Sequence, residues 1–105
     1  MARTIRWSLI AADDLEHAAA YFERTSPAYA ATFVQAVFAA VRALPKFPER
    51  YAIVEELRDE SVRQDFVDGY RLIFEIRGEV IYILGLIHAR RDFESAWNNP
   101  QRSPK

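Results

Sequence analysis

The chain has 105 residues, half hydrophobic and 28% charged, with 14 Lys and Arg against 15 Asp and Glu for a net charge of −1. That is one ordinary globular domain with room for one core, and the charge excludes a general attraction to nucleic acid. Without cysteine, disulfides and thiolate metal sites are excluded.

No apolar run approaches the roughly 20 residues of a membrane helix, and Met1 to Trp7 lacks the apolar centre of a signal peptide. The expected location is cytoplasmic. Thr4 to Trp7 reads as a short strand with Ile5 and Trp7 on one side and Arg6 on the other. Ser8 suits an N-cap, and Ala11, Leu15, Ala18, Ala19 and Phe22 then recur at helical spacing. Asp13, Asp14 and Glu16 look like a carboxylate cluster. With no His or second cluster at ligand spacing they are read as helix-start charges, and neither metal nor cofactor is expected.

Thr25-Ser26-Pro27 is a break in which Ser26 caps and Pro27 starts a second helix. Tyr29, Phe33, Val37, Ala40 and Leu44, flanked by Val34, Phe38 and Val41, give that helix a wide apolar face, and Pro45 and Pro48 end it. So short a link between two amphipathic helices predicts an antiparallel helical hairpin. Phe22 and Phe33 are assigned to the core, whereas Tyr21 and Tyr29 can reach the surface.

Ala52 to Leu57 reads as an edge strand, 58–61 as a polar turn and Val62 to Val67 as a strand closed by Asp68-Gly69. Tyr70 to Asp92 then forms two apolar strands around Gly78-Glu79, where glycine supplies the positive φ a two-residue hairpin needs. Val80 to Ile87 is apolar on both faces, as expected of a strand with neighbours on both sides. It ends abruptly at His88-Ala-Arg-Arg-Asp92. Phe93 to Trp97 predicts one helical turn whose aromatics either cap the core or form an exposed patch. The polar stretch 98–105 is expected to be a disordered tail beyond a single domain of residues 1–97.

The predicted architecture is α+β in two layers: an N-terminal strand, a helical hairpin, then a three- to four-stranded antiparallel meander. The helices cover one face of the sheet and leave the concave face open.

In this order the residues resemble the RelE/ParE superfamily of type II toxin–antitoxin toxins. The resemblance rests on Trp7-Ser8, Ala12, Asp14-Leu15, Tyr21, Ser26-Pro27, Ala30, Phe33, Leu44 and Phe47-Pro48. It continues through Arg63, Tyr70-Arg71, Phe74 and His88 to Asp92, so it spans about residues 3 to 92. It implies a cognate antitoxin as partner and, by pattern, the ParE side, whose members inhibit DNA gyrase without accepted catalytic residues. A role in plasmid stabilisation belongs to that side. RelE-like members instead cut messenger RNA on the ribosome without a metal, and others in the superfamily have no demonstrated toxicity.

If the chain is a nuclease, the candidates are Arg63, Arg71, His88 and Arg90. His88 would be the acid or base, with Arg63 and Arg71, on neighbouring strands, bracketing a phosphate. The plain alternative pairs the two arginines with Asp65, Glu75 or Glu56 across strands and has His88 satisfy a strand-end carbonyl. No Tyr follows Tyr82 in the sequence, whereas RelE-like nucleases usually carry a Tyr or Lys near the C-terminus. For partner binding the candidates are Tyr21, Tyr29, Arg71, His88, Arg90, Arg91, Phe93 and Trp97.

Overall fold

A computed structural model describes residues 3–98. Strand β1, Thr4–Trp7, ends at Ser8, whose hydroxyl accepts the Ala11 N–H at 3.0 Å and so caps helix α1, Leu9–Glu23. A helix start leaves its first amides without partners, and a serine there fills one of them. Ser26 repeats the device for α2, Pro27–Ala43, accepting the Tyr29 N–H at 3.1 Å, with Pro27 in the first turn. The two helices pack as the predicted antiparallel hairpin.

Beyond α2 the chain makes 3-10 turns at Pro48–Arg50 and Glu55–Leu57, on either side of β2, Ala52–Ile53. The edge strand is therefore shorter than its sequence suggests. Leu57 N–H turns back to the Val54 carbonyl instead of continuing a ladder. Strands β3 (Val62–Val67), β4 (Tyr70–Arg77) and β5 (Val80–His88) follow, then α3, Phe93–Trp97. Asp68 and Gly69 both take positive φ, 52° and 84°, as the turn joining β3 to β4 demands, and Gly78 takes 58° between β4 and β5. Asn98 caps the end of α3, and residues 99–105 of the predicted tail lie outside the described residues.

The strands form one five-stranded sheet in the order β1-β5-β4-β3-β2. Neighbours run antiparallel except β1, which pairs parallel with β5, Thr4 beside Val80 and Trp7 beside Ile83. β5 thus has a strand on each side, in keeping with its apolar character on both faces. Ile73 faces Gly85 but Phe74 faces Ile83, so Leu84 is one residue too many in β5. Such a bulge resets which face each later side chain meets. Ile81 and Ile83 point to the helices before it; Leu86 and His88 do so after it.

Both faces carry a core, although Phe66 on the second stays 60% exposed. The helix face holds the larger core, with Ala11, Phe33, Val37, Val41, Leu44, Leu72, Phe74, Ile81 and Ile83 buried together. On the other face Val54, Val62, Ile73 and Ile87 gather under Phe93 and Ala96 of α3, with Leu57, Leu84 and Trp97 at the margin. The expectations of one core and an open concave face are corrected here. Phe93 is 6% exposed and stacks on Trp97 with ring centroids 5.2 Å apart, so these aromatics cap a second, smaller core.

Candidate functional site

β1 stops at Trp7 while β5 continues to His88, so the last residues of β5 have no strand beyond them on that edge. α1 runs alongside instead. The Ser8 hydroxyl donates to the Leu84 carbonyl at 3.5 Å, and the Asp14 carboxylate accepts the Leu86 N–H at 2.9 Å. A cleft of about 380 Å³ opens where helix and strand end diverge. One wall is the α1 ladder Ile10, Asp13, Asp14, His17, Ala18 and Tyr21. The other is Tyr70, Leu86, Ile87 and His88, with Arg91 and Ala96 closing over the end. Such a volume with convergent polar groups is that of an ordinary recognition pocket.

His88 sits edge-on to Tyr70, ring centroids 5.0 Å apart, and its Nδ1 accepts the Arg90 N–H at 3.1 Å. The ring therefore does not donate to a strand-end carbonyl through that nitrogen. In the neutral form its proton is on Nε2. Burial raises the Tyr70 hydroxyl above the ordinary tyrosine value, the Tyr21 hydroxyl nearby adds to this, and the Arg91 charge opposes it. Tyr21, Tyr70 and Arg91 thus share one end of the cleft.

Arg63 and Arg71 do sit on neighbouring strands, but they cannot bracket one phosphate. Arg63 pairs with Phe74 and Arg71 with Phe66, three positions apart on β3, which places the two guanidiniums on opposite faces. Each is also engaged. Arg63 Nε donates to the Glu60 carbonyl at 2.8 Å, and its Nη1 donates to the carbonyls of Glu49 and, at 3.0 Å, Tyr51. Arg71 grips Glu56 with two bonds of 2.9 and 3.1 Å, donates from Nε to Gln64 Oε1 at 2.7 Å, and lies 4.6 Å from the centroid of Phe93. Bidentate pairing and a stacked ring are the contacts an arginine makes best. The hydrogen bonds from Arg71 hold the Glu56 carboxyl below its usual range.

The remaining candidates separate clearly. Tyr21 is 62% exposed, its ring edge-on to Phe22 at the cleft mouth. Tyr29 donates from its hydroxyl to Asp68 Oδ2 at 3.0 Å, which raises its pKa and ties α2 to the β3–β4 turn. Arg90 and Arg91 are both exposed. Phe93 and Trp97 belong to the smaller core.

Sequence reasoning passed over His17 and misplaced three acids. α1 starts at Leu9, so Asp13, Asp14 and Glu16 lie beyond its first turn and are not helix-start charges. The recurrence of Asp13, His17 and Tyr21 every four residues was the available signal, since it sets the three on one face. Among the described residues no group of three or more His, Asp and Glu is placed to hold a metal ion, and no helix is long and apolar enough to cross a membrane.

Residues 5–93 match the family of the ParE toxin of the type II toxin–antitoxin system parDE. The chain belongs to this family. Among solved structures, one described as a chromosomal ParDE TA system from P. aeruginosa superposes with a TM-score of 0.72 at 21% identity. The match covers 84% of this chain and 97% of the other, and at that identity it shows a shared fold. A search of curated proteins by sequence finds no match.

Proposed function

We propose that this chain is the toxin of a cytoplasmic type II pair, held inactive by a cognate antitoxin, and that it acts by binding DNA gyrase rather than by cutting RNA. Family membership supports the pairing. The observation that favours contact over cleavage is the parting of Arg63 and Arg71. A metal-free ribonuclease needs cationic groups converging on one phosphate beside an acid or base, and here the two strand arginines face opposite sides with their donors in use. His88 keeps no strand arginine beside it that is free to hold a phosphate. A plasmid-stabilising role follows from the same reading.

Pulse incorporation of labelled thymidine and labelled methionine, in the minutes after induction without antitoxin, tests it. DNA synthesis should stop first, and the purified chain should block supercoiling by gyrase. If protein synthesis stops first, the gyrase reading falls. The cleft that joins His17 to His88 then becomes the place to look for chemistry.

A further inference from the structure

We propose that the cleft between α1 and the end of β5 seats a segment of the antitoxin carrying an acidic and a basic side chain about 12 Å apart, with small apolar residues between them. The inference rests on the toxin–antitoxin reading above and adds which surface is covered and by what chemistry.

The cleft has two ends of opposite character. At the Tyr21 end stand the Arg91 guanidinium and the hydroxyls of Tyr21 and Tyr70, with the His88 ring against Tyr70. All can donate to a carboxylate. At the other end stands Asp13. Its neighbour Asp14 already accepts the Leu86 N–H, whereas Asp13 and Arg91 make no ion pair among the described residues. The floor between is apolar, from Ala18 and Leu86, with the exposed His17 on the α1 wall midway. Asp13 to Tyr21 is eight residues of α1, about 12 Å at the helical rise of about 1.5 Å per residue.

A partner that answers this pattern places its acid at the Arg91 end and its base at the Asp13 end. The separation is about eight residues if the segment is helical and about four if it is extended. A second copy paired through the same cleft does not fit, because it would present a hollow to a hollow. Opposed charge at the two ends also sets the direction in which the segment lies, since like charges brought together oppose the reverse orientation.

The test uses the full chain and the antitoxin that co-purifies with it, titrated against wild type, Asp13→Arg, Arg91→Glu and, as a control at the far end of β5, Glu79→Arg. Asp13, Arg91 and Glu79 are all exposed, so the fold should tolerate each change. Each cleft reversal should weaken binding about tenfold or more and the control less than about twofold, as expected of close against distant charges. Reversing the matching acid of the antitoxin should restore affinity for Arg91→Glu. Unchanged affinity for both cleft variants, or an equal loss in the control, overturns the assignment while leaving the toxin–antitoxin reading in place. An antitoxin that does not bind the wild-type chain overturns both. Self-association of the free chain that the cleft variants abolish would overturn it as well, giving the cleft to a second copy.

Discussion

The two faces of the sheet are held by different means. The helix face is held by interlocking bulk, with Phe33 and Phe74 fully buried among aliphatics from two helices and three strands. The other face has only a five-residue helix to cover it. There a single side chain, Arg71, reaches Glu56, Gln64 and Phe93 at once and so joins a 3-10 turn, two strands and α3. Broad apolar contact makes a cooperative unit. A smaller core tied at its rim by one cation should open on its own, below the free energy of global unfolding.

Three measurements test this contrast. The largest effect is expected from Phe33→Ala. It empties the centre of the larger core and should cost about 3–5 kcal/mol in urea unfolding, with the whole domain losing protection together. Arg71→Met comes next. It removes the Glu56 pairing and the contact over Phe93 while leaving Glu56 partly in water, and should cost about 1–2 kcal/mol. Hydrogen exchange should then quicken at residues 93–97 and stay slow in α2. A uniform rise across the domain would mean that the two faces are not separable.

The smallest effect concerns acid. Glu56 is held below its usual value of 4.5, chiefly by the hydrogen bonds from Arg71. A carboxyl depressed in the folded state contributes fully above its unfolded value and loses that contribution as pH falls through the folded one. The wild type should therefore lose stability below pH 4.5 slightly faster than Arg71→Met does. Parallel curves would remove Arg71 as the cause.

Much of the architecture could be read in the chain because local signals were strong. Ser8, Ser26 and Pro27 mark their helices, and the β3–β4–β5 meander lies where the Asp68-Gly69 and Gly78 turns put it. Tertiary facts were less legible. The bulge at Leu84 shifts the period of β5 partway along, so no simple alternation tells which side His88 takes. The opposed faces of Arg63 and Arg71 depend on the β3–β4 register. Two neighbouring strands do not by themselves say which side chains meet. Phe93 and Trp97 could be read either way because whether they are covered depends on Ile73 and Ile87, far back in the sequence. The cleft joins residue 13 to residue 91, and the parallel placement of β1 on β5, with the Asp14–Leu86 hydrogen bond, brings them together.

That parallel pairing also sets a timetable. Ser8 and Leu84, 76 positions apart, meet at the junction of β1, α1 and β5. Contacts between such distant residues are late and slow to form, because a long loop must close before they contribute. During synthesis the helical hairpin and β1 emerge first, and β1 and α1 have no strand beside them until residues 80–88 exist. Neither the cleft nor the larger core is assembled on a partly made chain. Any activity that needs them begins only when translation has passed β5.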